Sequence, residues 1–450
     1  MRKKSSAGIL TSGPIGRMLV RLSLPMLVSI VAMMAFNVVD TFFVGRLGTI
    51  PLAAMTLTFP VVMVIGTFTL GLGVGAMAVV SQGVGAGDES RIRRCTTDAL
   101  TLAGLCVVVI AVVGLLTIEP LFRLLGATDD MMPFVWQYMA IWYPGMIFYV
   151  VPVVGNNIIR ATGDTLTPSV VMLVGVGINA LLDPLLIFGA GPIPPLGIAG
   201  AAVATVITRA LTLAVALWVL RFREHLLAHP WPGARVLIDS WKTILRIGLP
   251  VAISNIVIPI ALGVVTRIVT RFGAEAVAGF GVATRIESFG LALIYALSSG
   301  ISPFVGQNFG AGRMDRVRRG LAYAKAFSLV WGVLMFAVFL LFGRTLASYF
   351  DPDPTVIRSA SLYLWIVSIS LGLRSVHLVT WTALNVLGRP YESLFLEFLL
   401  AFGLWVPLAL AGAHVAEIAG IYAGLSLANL LGGATAYIWI GRVTARKLNA

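Results

Sequence analysis

Apolar runs of about twenty residues recur along the whole chain, separated by short segments rich in polar residues, glycine or proline. That length crosses the hydrocarbon of a bilayer as a helix, whereas barrel strands would give shorter runs of alternating character. Twelve spans are predicted, near 17–45, 51–81, 97–118, 133–159, 168–189 and 196–220, then near 242–270, 276–306, 320–342, 358–387, 393–412 and 416–440. A basic, partly polar stretch divides the two sets. The expected organisation is an N-terminal six-helix bundle over 1–220, a linker over 221–241 and a C-terminal six-helix bundle over 242–450. The predicted class is an all-α integral membrane protein.

Composition agrees. Hydrophobic residues make up 58% of the chain and charged ones 11%, with a mean hydropathy of +0.96, where soluble proteins carry about 25% charged residues. The first run follows Met1-Arg2-Lys3-Lys4 and a polar lead to Gly16. It is too long for a signal-peptide core and has no small-residue cleavage site, so it reads as a retained helix. Cys95 and Cys106 suggest neither a disulfide framework nor a metal site. The net charge of +13 does not point to nucleic acid, because the basic residues stand next to span ends in alternate loops. Arg91, Arg93, Arg94, Arg221, Arg223, Arg316, Arg318 and Arg319 mark one side. Glu119, Asp129, Asp130, Glu275, Asp351 and Asp353 mark the other. The lysine and arginine bias places both termini in the cytoplasm and the chain in the cytoplasmic membrane.

The second set of spans repeats the first at an offset of 225 positions. Arg21-Leu-Ser-Leu-Pro25 lies over Arg246-Ile-Gly-Leu-Pro250, Gln82-Gly-Val-Gly-Ala-Gly87 over Gln307-Asn-Phe-Gly-Ala-Gly312, Tyr138 over Tyr363 and Gly163 over Gly388. Six spans per repeat give both halves the same direction of entry, so an axis along the membrane normal should relate them, as in parallel-repeat transporters.

One residue stands out within these apolar runs. Asp40 sits in Asn37-Val-Val-Asp40-Thr-Phe-Phe-Val-Gly45, and an ionised aspartate in hydrocarbon costs at least about 2.5 kcal/mol, so an intramembrane acid is a functional candidate by default. Asn179 and Asp183 form a second candidate, four residues apart and therefore on one helix face. The alternative for Asp40 is a structural pair with Arg209.

Together these residues resemble the multidrug and toxic compound extrusion family. The resemblance rests on the Asn37 to Gly45 pattern, the two Gln-x-x-Gly-Ala-Gly loops, Arg160-Ala-Thr-Gly163-Asp-Thr, Asn179-Ala-Leu-Leu-Asp183-Pro184 and Gly197-Ile-Ala-Gly200-Ala-Ala-Val-Ala-Thr205. It implies efflux of amphiphilic, often cationic compounds in exchange for inward protons or sodium ions. It also implies a cation site in the outer half of the first bundle, closer to the DinF-like and archaeal pattern than to the NorM-like one. Asp40, Asn179 and Asp183 are carried over to that site, with Tyr138, Asn156 and Thr205 as further members. Their oxygen donors suit a proton or a sodium ion, the latter at Asp40, Asn179 and Asp183. The second bundle departs from the NorM-like pattern: helix 7 has no acid between Pro250 and Pro259, helix 10 offers Arg374 and His377 instead, and Val265 lies over Asp40.

Glu287 is the candidate for attracting a cationic substrate, together with Asp40; its alternative is a salt bridge with Arg267 or Arg374. Glu397 is a similar, weaker case. His377 is able to titrate near neutral pH, although a lone histidine is more often simply hydrogen-bonded. The glycine run Gly66 to Gly75 follows no strand, so it packs helices rather than phosphates. An enzyme is not expected, because the spans lack a nucleophile and base or a metal-ligand set. The expected partners are small organic cations and the lipid bilayer, with no cofactor and a monomeric chain. A lipid or lipid-linked oligosaccharide flippase of related fold is the alternative function, favoured by Arg209, Arg285 and Arg374 in the spans.

Overall fold

The computed structural model describes residues 9–189, 191–192, 194–228 and 233–446; inside the helices, the side chains of 35–42, 44, 45, 49 and 446 fall outside that description. Among the described residues the chain forms fourteen α-helices: α1 (Ile15–Gly45), α2 (Thr49–Ala86), α3 (Glu89–Leu124), α4 (Met132–Gly145), α5 (Ile147–Ala161), α6 (Leu166–Phe188), α7 (Ile198–Trp218), α8 (Ala234–Val269), α9 (Ala274–Gly310), α10 (Met314–Ser348), α11 (Pro354–Val367), α12 (Leu371–Val386), α13 (Pro390–Phe398) and α14 (Val406–Arg446). With no water in a bilayer core to satisfy backbone groups, helices are the form these apolar runs must take.

The helices account for twelve crossings. Ten stretches are long and apolar enough to span a membrane. The pair α4 and α5, bent by 42°, forms one more, and α14 turns back at Ala416 and Glu417, so the stretch from Pro390 crosses twice. The predicted helices are all present, with interruptions that hydropathy does not register. One is the bend after Pro144 and Gly145. Another is the short 3-10 turn Ser368–Ser370 between α11 and α12, and a third is the π-helical stretch Leu399–Trp405 after α13.

Helix ends follow local chemistry. Asp88 caps α3 by accepting from the Arg91 amide at 2.9 Å, and Asp353 caps α11 by accepting from the Thr355 amide at 2.7 Å. Gly87 closes α2 in the left-handed conformation (φ 71°) that glycine adopts without steric cost.

The chain divides into two compact units. The first is built on Leu24–Ala252, the second on Leu10–Ser23 and the chain from Ile253 onward. The limits fall inside α1 and α8, beside Pro25 and Pro250, where each proline removes an intrahelical hydrogen bond. In the first unit α2 packs on α3 and α5, and α7 on α4, α5 and α6; in the second, α12 packs on α9, α10, α13 and α14. Large apolar side chains face outward, as a bilayer requires: Val109, Val112, Val113 and Leu116 on α3 and Val330, Val333 and Leu341 on α10 are exposed.

Candidate functional site

The first unit holds a buried acid. Asp183 and Asn179 on α6 are both buried, and the Asn179 amide donates from Nδ2 to Asp183 Oδ1 at 3.3 Å. The one-turn spacing predicted a shared face, and the bond follows from it. Asn179 Oδ1 is buried with no hydrogen-bond partner among the described residues, so the pair presents acceptor oxygen to whatever enters.

The other residues assigned by resemblance distribute as follows. Tyr138 is buried on α4, and Thr205 is half-buried on α7. Each stands about two turns from the start of its helix, and Asp183 lies a similar distance from the end of α6, so helix register sets all three at comparable depth. Arg209, further along α7, lies with its guanidinium carbon 5.0 Å from the centroid of the Tyr149 ring and within electrostatic range of Tyr138. Asn156 is not brought to this level. It stands on α5 beyond the bend, with roughly 27 Å of helix between it and Tyr138, and its Oδ1 is buried without a hydrogen-bond partner among the described residues. No hydrogen bond joins Asn156 or Thr205 to the α6 pair among the described residues. Asp40 lies on α1 near the helix end, but its side chain, like that of Asn37, is outside the described residues. A groove of about 350 Å³ lined by Leu47, Ile50, Phe134, Gln137 and Ile198 opens where α2, α4 and α7 begin, the end of the unit toward which Asp183 and Tyr138 are displaced.

The second unit is differently furnished. Glu287 on α9 accepts a hydrogen bond from Tyr363 Oη at 2.6 Å. Glu287 is half-buried, and Phe339, Leu364, Val367 and Leu371 line the narrow space beside it. It makes no salt bridge with Arg267 or Arg374 among the described residues. Glu397 on α13 pairs with His377 on α12, with Nε2 and Oε2 2.8 Å apart and both side chains buried. Arg374 lies 5.0 Å over the ring of Trp405, whose Nε1 donates to Asn429 Oδ1 at 2.9 Å. Sequence spacing missed these partnerships. Each joins different helices, and Tyr363 was visible only as the repeat counterpart of Tyr138.

Comparison with known proteins places this arrangement. The MatE family model matches residues 25–185 and again 250–411, the two copies of the internal repeat. A FAD transporter of Shewanella oneidensis is 36% identical over 434 residues, covering 96% of each chain. Probable multidrug resistance protein YoeA of Bacillus subtilis is 28% identical, covering 89% of this chain and 88% of its own. The crystal structure of the Vibrio cholerae MATE transporter VcmN in the bent form superposes with a TM-score of 0.91 at 28% identity over 98% of both chains. The family match spans both halves of a twelve-helix chain with a buried intramembrane acid, and these relatives are transporters, not enzymes. This multi-pass membrane protein therefore belongs to the MatE family of multidrug efflux transporters.

Proposed function

We propose that this transporter is a secondary active antiporter, exporting amphiphilic and mostly cationic organic compounds while protons or sodium ions move inward by alternating access. Asp183 and Asn179, joined by Asp40, Tyr138 and Thr205, form its coupling site; Asn156 stands too far along α5 to join them. The chain works as a monomer in the cytoplasmic membrane with both termini inside. The observation that carries the reading is the buried Asn179–Asp183 pair. A carboxylate is costly in an apolar span and is retained where it serves ions or protons, and the acceptor oxygens of Asp183 and Asn179 suit either cation.

The test is uptake of a cationic dye into liposomes holding the purified protein, with proton and sodium gradients imposed separately. The wild type accumulates dye uphill on one of them. Asp183→Asn loses uphill accumulation and keeps dye exchange without a gradient. Undiminished uphill transport by Asp183→Asn overturns the assignment.

A second reading concerns the cargo. The Shewanella oneidensis relative is a FAD transporter, and FAD joins planar aromatic rings through an anionic pyrophosphate. Arg209 over Tyr149 and Arg374 over Trp405 pair a cation with an aromatic ring, a combination suited to such a cargo. Dye uptake competed by FAD, but not by a flavin-free nucleotide, favours this reading; competition by neither leaves the cationic cargo.

A further inference from the structure

We propose that the second unit contains a proton-binding centre of its own, formed by His377 and Glu397, which carries one proton per transport cycle in addition to the cation bound in the first unit. The proposal rests on the antiport reading above.

The geometry begins with the pair itself. His377 Nε2 and Glu397 Oε2 lie 2.8 Å apart, and the side chains are 1% and 7% exposed, so a proton is shared between nitrogen and oxygen without competition from bulk water. A histidine held for purely structural reasons usually anchors its other ring nitrogen. Here Nδ1 is buried with no hydrogen-bond partner among the described residues, so the ring is held through Nε2 alone.

The surrounding charges leave room for one proton. Arg374 on the same helix and Tyr295 from α9 lie within electrostatic range of Glu397, and Glu287 from α9 and Tyr363 from α11 lie within range of Arg374. Tyr422 from α14 packs edge-on against Tyr363, and Lys325 from α10 lies instead over the ring of Tyr437. Two carboxylates face one guanidinium. With the imidazole neutral and both carboxylates ionised, the set carries one net negative charge; one proton on the His377–Glu397 pair makes it neutral. Uncompensated charge is expensive at this depth, which makes the exchange of a single proton the natural two-state change. Loading forms one N–H or O–H bond and release breaks it, with no other bond altered.

A route is also present. Arg374, His377, Trp381 and Asn385 follow one another at steps of three and four, on one face of α12. Each has a buried side-chain nitrogen without a partner among the described residues: Arg374 Nη1, His377 Nδ1, Trp381 Nε1 and Asn385 Nδ2. Orphaned polar atoms are rare in proteins and ordinarily mark hydration. A line of them over roughly 12 Å of helix leads from the pair toward the end of α12. Glu397 stands two residues before the π-helical stretch Leu399–Trp405, a local distortion often found at functional sites. The repeat supplies no equivalent, since Pro152 and Met172 lie under His377 and Glu397.

The test is thermodynamic, so that a merely structural role leaves it unmoved. In liposomes with the membrane potential clamped at zero, a pH difference of one unit sustains about a tenfold substrate gradient for each proton exchanged. His377→Asn and Glu397→Gln are expected to lower the sustained gradient about tenfold relative to wild type, whereas Glu397→Asp, which keeps the carboxylate, retains it. A slower approach to an unchanged gradient in the two neutral variants overturns the proposal. A wild type that sustains no gradient on protons or sodium instead defeats the antiport reading itself. Because a buried pair can also be needed for folding, the second measurement keeps it intact. His225, His229 and His414 are the other histidines; replacing them with Gln leaves a single imidazole signal in nitrogen-15 spectra. That signal is expected to respond to the pH imposed on the liposomes, and a signal indifferent to it overturns the proposal.

Discussion

Gly420→Ala tests whether the fold-back of α14 depends on backbone contact between its two arms. Gly412 and Gly420 stand on either side of the break at Ala416 and Glu417. A Cβ built on Gly420 overlaps the carbonyl oxygen of Gly412 and lies 2.6 Å from its carbonyl carbon, where ordinary contact begins at 3.4 Å. The obstacle is backbone, which has no rotamer to yield, so the arms must part by roughly 1 Å, a change of the overpacking kind that costs about 1–3 kcal/mol. Alanine also recovers about 1 kcal/mol of helix propensity over glycine. The net expectation is a loss of about 0–2 kcal/mol, up to about a thirtyfold fall in the folded to unfolded ratio. Gly441, on the same helix with nothing within 4 Å of a built Cβ, supplies the control. There alanine gains propensity with no overlap, so Gly441→Ala is neutral or stabilising by up to about 1 kcal/mol. Unfolding of the purified variants in mixed micelles, titrated with a denaturing detergent and followed by tryptophan fluorescence, measures both. If Gly420→Ala proves as stable as Gly441→Ala, close backbone approach does not hold the fold-back together.

Two further expectations concern the ends of spans. Glu417 is exposed and has φ 50° and ψ −131°, a backbone region that glycine adopts far more readily than other residues, so Glu417→Gly should raise the melting temperature by relieving about 1 kcal/mol of strain; an unchanged or lower melting temperature counts against it. Glu224, just beyond α7, has its carboxyl pushed above the ordinary value of 4.5 by burial, against the opposing pull of Arg223. Because the folded state holds that proton more tightly than the unfolded one, stability falls as pH rises from about 4.5 through the raised value. Glu224→Gln should therefore flatten this part of the stability profile, and identical profiles for variant and wild type would exclude the effect.

Much of this architecture is legible in sequence because membrane helices are written in local terms. A run of twenty apolar residues has one structural solution in lipid, and the 225-residue repeat is visible wherever glycine, proline and arginine recur. The Asn179–Asp183 bond is legible for the same reason, since both residues lie one turn apart on one helix. The bend between α4 and α5 is less so. Pro144 permits it, but Pro60 and Pro120 lie inside α2 and α3, which continue as single helices, so proline alone does not announce a break. The partners of Glu287 and Glu397 are not legible at all. Tyr363 and His377 lie 76 and 20 residues away, and only packing of different helices decides that they meet.

The repeat sharpens what these partnerships mean. Tyr138 and Tyr363 occupy equivalent positions, yet Tyr363 donates to Glu287, whose counterpart in the first unit is Val62. Tyr149, which lies under Arg209, has Arg374 as its counterpart, and that arginine has turned instead to Trp405. Asp183 and Asn179 correspond to Leu408 and Leu404. Duplication has thus preserved the helices, the prolines at the unit limits and the glycine loops, while placing the buried charges of each unit at non-equivalent positions along them. A repeated scaffold with one shared task would keep its charges in register, because buried ionisable groups are costly and are lost when unused. Their divergence leaves the two units chemically unequal.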